Sequence, residues 1–334
     1  MTKKMKIGVV GLGNVAVNNY LPFLSRQEDV ELLYYSRTAE KTEKCVADFG
    51  GYACATLREL TAKQPDSILI LNRETHHYQS ACQLLDFKPK RLFIEKPLHA
   101  RNGQANVSEQ DFFEARDLLR LATSAGTEIA MNFNYRFFEQ TLNLKRMIHD
   151  KNLGKLRQSS WFVNYACWSH CIDLLHYLGG EITEVVAVSG THSYGEGLQQ
   201  GTDLGCAFLT NNGSAGTLLG SSCPAFSSPL YHVVLNFDCG TVTFADLDAD
   251  LNLYRNSSEY RESYSLNADK SRWTQYAASF EKALASYLDT IRHELPPPVS
   301  GMDGLRELQL EAAMRRASAT ARKVSLQSEF TLDF

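Results

Sequence analysis

The chain has 334 residues, 44% hydrophobic and 22% charged, with a formal net charge of −4. This is the composition of a soluble globular protein long enough for two domains, and its Lys and Arg are scattered, which argues against nucleic acid or an anionic membrane as partner. No apolar run approaches the roughly 20 residues of a membrane span. The basic opening, residues 1–6, runs into Gly8, Gly11 and Gly13, so it reads as a strand and turn and not as an export signal.

In chain order, the first element is a short apolar strand, 7–10, leading into Gly11-Leu12-Gly13-Asn14-Val15-Ala16 with a helical segment behind it (15–24). Gly11 would allow the tight turn, Gly13 the approach of a pyrophosphate, and Ala16 close helix–strand packing. The helix N-terminus would offer N–H groups to the phosphates. Further strands are expected at 31–35, 67–71, 92–94 and 128–132, with helices at 39–49, 75–85 and 112–125. This alternation calls for a parallel, doubly wound Rossmann sheet over residues 1–130. The polar stretch 101–111, with Asn102, Gly103 and Asn106, reads as a surface loop.

After Arg136 the pattern changes. A helix (139–150), a strand (156–164) and a helix (169–178) precede strand-like runs at 184–189, 203–209, 216–221, 231–237, 240–245 and 250–254. Consecutive strands without helices imply a large, mostly antiparallel sheet. Residues 131–334 are therefore expected to form a second domain built on this sheet. Phe280, Leu284, Tyr287, Leu288, Ile291 and Leu295 recur at helical spacing up to Pro296-Pro297-Pro298. A last helix starts near Met302, with Ser300 and Asp303 in capping positions, and is expected to pack back on the first domain.

At the end of the second strand stands Tyr35-Ser36-Arg37-Thr38, with no carboxylate for a ribose diol. Arg37 can fork onto a 2′-phosphate while Ser36 and Thr38 donate to it, which favours NADP(H) over NAD(H). Eight cysteines without a Cys-x-x-Cys spacing read as reduced thiols of a cytoplasmic protein. Cys167, His170 and Cys171 share a helix face, with His176 beyond, but core thiols are the commoner outcome and no metal is expected. Trp161, Trp168 and Trp273 could stack on a sugar ring, although core packing suits at least two of them.

Phe93-Ile94-Glu95-Lys96-Pro97 closes a strand where a βα loop would meet the nicotinamide. With Gly11 to Ala16, Ser36-Arg37-Thr38, His77, Asn134-Tyr135-Arg136-Phe137, Ser169-His170-Cys171-Ile172-Asp173-Leu174-Leu175 and the 303–313 helix, it makes the chain resemble the Gfo/Idh/MocA oxidoreductases, the family of glucose–fructose oxidoreductase and inositol dehydrogenase. The resemblance implies that 131–334 is an α/β domain for substrate binding and oligomerisation on a large open sheet. It also implies an active site in the cleft between domains and a homodimer or homotetramer formed through that sheet. The implied cofactor contacts are Gly11, Gly13, Asn14, Val15, Ser36, Arg37, Thr38, Asn72, His77, Glu95 and Lys96. Lys96 matches the motif lysine, which would stabilise negative charge on the reacting oxygen. Pro97 matches a proline often preceded by a cis bond. His170 matches the histidine suited to proton removal from an alcohol as its hydride leaves. Asp173, three residues on, could orient His170 or bind a substrate hydroxyl, and Arg136 is expected in the substrate cleft.

Two departures stand out. Ala166 occupies the position of an aspartate found four residues before this histidine in active sugar dehydrogenases, and Trp161 to Tyr165 runs almost straight into the helix, as in a short-loop, MviM-like subgroup. Lys96 alone, or a tyrosine such as Tyr165, could then carry the proton. The expected function is NADP(H)-dependent oxidation or reduction of a sugar, cyclitol or related polyhydroxylated molecule. The alternative is a catalytically silent NADP(H)-binding sensor or regulator.

Overall fold

The computed structural model describes residues 4–247, 249–266 and 271–333. Six strands form the first sheet: β1 (Met5–Val10), β2 (Val30–Tyr35), β3 (Tyr52–Ala53), β4 (Ser67–Ile70), β5 (Arg91–Ile94) and β6 (Glu128–Met131). Their order is β3-β2-β1-β4-β5-β6, every pair parallel. These strands are almost continuously apolar because helices cover both faces. The order reverses direction between β1 and β4, which opens a crevice at their carboxyl ends.

The second sheet contains β7 (Leu156–Asn164), β8 (Ile182–Tyr194), β9 (Gly201–Thr210), β10 (Ala215–Ser221), β11 (Tyr231–Phe237), β12 (Gly240–Ala245), β13 (Leu251–Arg255), β14 (Arg261–Tyr264) and β15 (Val324–Ser325). Its order is β14-β13-β12-β11-β7-β10-β9-β8-β15. Only the β7–β10 pair is parallel. Helices Trp168–Gly179 and Gly301–Thr320 pack on this sheet. Along β10, buried Leu218 alternates with exposed Leu219, the signature of a sheet with one uncovered face. Val186, Val188 and Leu209 are exposed with Leu219.

The chain halves do not pack as two separate units. Helix Arg272–Arg292 buries Phe280, Leu284, Tyr287 and Leu288 with Ile7, Val9, Leu32 and Tyr34 of the first sheet, and the Tyr287 hydroxyl lies 2.6 Å from Ser67 Oγ. Helix Gly301–Thr320 also crosses back. A Cβ on Gly301 would strike Ile129 and Leu119, and one on Gly304 would crowd Leu98 and Met131.

Several expectations need correction. Strand β3 and helix Leu57–Ala62 lie in a stretch too short and polar to show periodicity. The Arg272–Arg292 helix stops before Leu295, which is exposed; no packing partner rewards continuing it to the prolines. Above all, the 101–111 stretch is not a plain surface loop, since Gln104 and Ala105 are buried.

Candidate active site

The carboxyl edge of the parallel sheet gathers the residues singled out in the first domain. Gly11 leaves β1 at φ +95°, and a Cβ there would come 2.5 Å from the Asn72 backbone nitrogen, so only glycine fits. Gly13 differs. It has no positive φ, and an added Cβ would meet no protein atom within 4 Å. The protein's own packing does not demand glycine there, whereas a pyrophosphate approaching the backbone would. Gly13, Asn14 and Val15 are exposed at this point. After β2, the Thr38 N–H donates to Ser36 Oγ at 3.3 Å. Arg37 beside them is exposed and has no hydrogen-bond or ion-pair partner among the described residues. The open Gly13 cradle fits the pyrophosphate of a dinucleotide.

Two other members of the set are braces. Asn72 Nδ2 donates to Ser80 Oγ at 2.7 Å. His77 is buried, with Nδ1 2.8 Å from Pro97 O and Nε2 3.0 Å from Asn72 O, so it pins the loop after β4 to the Lys96–Pro97 turn. Burial pulls its pKa down while those carbonyls oppose the change. The Lys96–Pro97 bond is cis.

Glu95 shapes that turn from beneath. Its Oε1 accepts from the Tyr20 hydroxyl and from Asn132 Nδ2 at 2.9 Å, and its Oε2 accepts from the Lys96 backbone N–H at 2.7 Å. Lys96 Nζ donates to Gln104 Oε1 at 2.7 Å and to the Ala166 carbonyl at 3.4 Å. The lysine therefore reaches from the first domain to the loop preceding helix Trp168–Gly179.

His170 sits in that helix, fully surrounded. Its ring stacks on Tyr135 with centroids 4.1 Å apart and planes 8° apart, and the Tyr135 hydroxyl lies 2.9 Å from Cys167 Sγ. Nδ1 has no partner among the described residues. Burial, reinforced by the Lys96 charge, holds the pKa of His170 well below the ordinary value, so its imidazole is neutral. Asp173 does not orient it. Its carboxylate is gripped by Arg136, with Nε–Oδ2 at 2.8 Å, and Arg136 Nη2 also reaches Asp303 Oδ1 at 3.0 Å. Burial pushes Asp173 up to about 6 against the pull of Arg136. This triad, buried at Asp173 and half-buried at Arg136 and Asp303, locks the turn after β6 to two helices. Tyr165 is engaged as well, its hydroxyl donating to Thr202 O at 2.6 Å.

The structure places one carboxyl near Lys96 that the sequence reading missed, Glu307, with Glu311 beside it. Glu307 and Glu311, one turn apart on helix Gly301–Thr320, are wholly buried. Their electrostatic neighbours are each other, Lys96, Asp173, Arg315 and Trp168, yet none of the four oxygens has a partner in hydrogen-bonding geometry among the described residues. Burial drives both pKa values up; Glu311 adds to the rise at Glu307, while Glu307, Arg315 and Trp168 pull Glu311 partly back down. The available signal was the helix around them: Leu305, Leu308, Leu310, Ala312, Ala313 and Met314 are apolar on every side, as in a helix buried all round. Gln104 carried no such signal.

Of the tryptophans, Trp161 and Trp168 are core residues and Trp273 is exposed. All eight cysteines are unpaired. Among the described residues, Cys167, His170 and Cys171 do not converge as ligands. His99, Asp111 and Glu114 do, but Asp111 accepts from Arg101 N, Ser108 N and Ser108 Oγ, and Glu114 accepts from the Arg101 guanidinium. A cation would have to displace those donors. No helix of the described residues is long and apolar enough to cross a membrane.

Residues 5–133 match the profile of an oxidoreductase family with an NAD-binding Rossmann fold. A glucose-6-phosphate 3-dehydrogenase of Bacillus subtilis is 26% identical over 152 residues, a stretch covering 45% of this chain and 40% of that relative. An oxidoreductase from Agrobacterium radiobacter, solved with NAD+, L-tartaric acid and magnesium, superposes with a TM-score of 0.81 at 15% identity, covering 98% of this chain and 99% of its own. A super-repressor mutant of Gal80p from Saccharomyces cerevisiae gives 0.80 at 15% identity, covering 99% of each chain. At such identities the structural likeness speaks for the fold.

Proposed function

We propose that the chain, whose residues 5–133 match the Gfo/Idh/MocA oxidoreductase model, is an NADP(H)-dependent oxidoreductase of that family acting on a sugar, cyclitol or related polyhydroxylated substrate. The observation that carries this reading is the convergence, at the crevice edge of one parallel sheet, of the open Gly13 cradle, the unpaired Arg37 and the Lys96 ammonium. When bound, the nicotinamide accepts or supplies the hydride. The chain's own residues do the rest. Gly11 and Gly13 admit the phosphates, and Ser36, Arg37 and Thr38 hold the 2′-phosphate.

Lys96 sits at the reacting oxygen, takes the alcohol proton as hydride leaves carbon, and returns it in the reverse direction. Neutral His170 is a poor reservoir for that proton and serves better as a hydrogen-bonding partner to the same oxygen. Arg136 and Asp173 border the cleft as a pre-formed pair. The glucose-6-phosphate 3-dehydrogenase similarity supports a sugar as substrate. The apolar residues of the uncovered face, Val186, Val188, Leu209 and Leu219, support a homodimer or homotetramer joined there.

Fluorescence titration with NADPH and NADH is the test, followed by turnover of glucose 6-phosphate and a panel of sugars and keto-sugars by wild type and Lys96→Ala. Tight NADPH binding, weak NADH binding and a turnover that Lys96→Ala abolishes are expected. Full activity of Lys96→Ala would remove the role given to the lysine. NADPH binding without turnover across the panel would favour the regulatory reading, which Ala166 motivates.

A further inference from the structure

We propose that Gln104 is a positioning residue for Lys96, delivered to it by a strap, residues 100–107, that spans the two sheets. The proposal rests on the reading of Lys96 given above. Gln104 is buried at 7% exposure, in a segment whose composition is that of a surface loop. Its Oε1 makes the shorter of the two hydrogen bonds to the Lys96 ammonium, 2.7 Å against 3.4 Å for the Ala166 carbonyl. Both acceptors are neutral. The titratable groups facing Nζ are Cys167, His170, Cys171 and Glu307. None of them forms an ion pair with it among the described residues, and all four are the same in every variant below. The direction of the ammonium is thus set chiefly by one amide oxygen.

That amide is held from both sides. Towards the first domain, Arg101 N–H donates to Asp111 Oδ1 at 2.8 Å. Towards the second, Asn106 Nδ2 donates to Gln200 O at 2.5 Å and Arg315 Nη2 to Ala105 O at 2.7 Å. Gly103, at φ +85°, seats against Leu198, whose carbonyl oxygen would lie 2.7 Å from an added Cβ. The turn at 197–201 and helix Gly301–Thr320 therefore fix where Gln104 stands, and through it where Lys96 points.

The residue type matters to the chemistry. In alcohol oxidation the lysine must hold a free electron pair, take the hydroxyl proton and become an ammonium while hydride leaves the carbon. A carboxylate at this position would favour the ammonium throughout. Glutamine gives the same directional bond without adding that charge.

The test reads Lys96 directly in the cofactor-free protein. Wild type, Gln104→Ala, Gln104→Glu and Gly103→Val are labelled competitively with acetic anhydride across pH 7–11 (roughly the span of lysine titration), and the Lys96 peptide is followed by mass spectrometry. Gln104→Ala should label faster, its profile displaced to lower pH. Gln104→Glu should move the profile about one pH unit upward, and Gly103→Val, which leaves both side chains intact but unseats the strap, should behave like Gln104→Ala. Opposite displacements by the alanine and glutamate variants are a charge signature that mere loosening of the fold would not give. A Lys96 profile unchanged in both Gln104 variants overturns the proposal. If Gln104→Ala does not fold, Gln104→Glu alone decides. Labelling does not depend on turnover, so failure here is distinct from failure of the dehydrogenase reading. With turnover, Gln104→Ala should lower kcat at least tenfold and leave NADPH affinity unchanged.

Discussion

Replacing Glu307 and Glu311 together by glutamine removes two ionisable groups from a helix interior and leaves its shape almost unchanged. In the wild type, burial pushes Glu311 from 4.5 up to about 7, and Glu307 moves the same way. The folded state therefore binds these protons more tightly than the unfolded chain. The resulting stability is fully present below the unfolded value of about 4.5 and is lost as pH rises through about 7. For Glu311 alone the difference between the two values corresponds to about 3 kcal/mol, most of it falling between pH 5 and 8. With an unfolding entropy near 2.1 cal/mol/K per residue, a chain of this length converts that into about 4 °C of Tm. Thermal unfolding of wild type and the Glu307→Gln, Glu311→Gln double variant at several pH values is the assay. His176 also contributes to the pH dependence, but it is common to both proteins and cancels in the difference. With Glu307 shifted the same way, the double variant should gain at least about 4 °C on wild type from pH 5 to pH 8. A Tm difference that stays constant with pH would refute the reasoning.

Arg136→Leu leaves the buried carboxylate of Asp173 and the half-buried one of Asp303 without their cation. Breaking such a pair costs about 3–5 kcal/mol, or about 4–7 °C of Tm in a chain of this length. An unchanged Tm with a raised KM would instead make Arg136 purely a substrate contact. Arg37→Glu, exposed and unpaired, should leave Tm within about 1 °C because surface substitutions of this kind are nearly neutral. It should weaken NADPH at least tenfold and NADH little, read by fluorescence titration; equal losses for both would sink the 2′-phosphate assignment.

What the sequence by itself determined is local. Gly11 announces a turn because its conformation and the nearby Asn72 backbone leave no room for a side chain. Ser300 and Asp303 announce a helix start, and the capping box is there. The change from helix-separated strands to consecutive strands announces the change from a parallel to a mostly antiparallel sheet, since each strand must bury one face or two. These signals lie within windows of a few residues, where backbone sterics and hydrophobic periodicity act.

The tertiary structure decided which polar group meets which. Asp173 shares a helix face with His170, yet its charge went to Arg136, 37 positions away in sequence, because a guanidinium offsets burial of a carboxylate better than a neutral imidazole does. Asp303 caps a helix as its spacing predicts and joins the same triad, which no local pattern signals. Helix Arg272–Arg292 belongs to the second half of the chain but covers the first sheet, since an apolar stripe does not say which surface it will meet. Gln104, in a polar stretch like any other, became the partner of Lys96 only when the strap docked on the second sheet. Pairings between distant segments are fixed by the cost of burying charge and by the shape of the packed interior, and both exist only once the chain has folded.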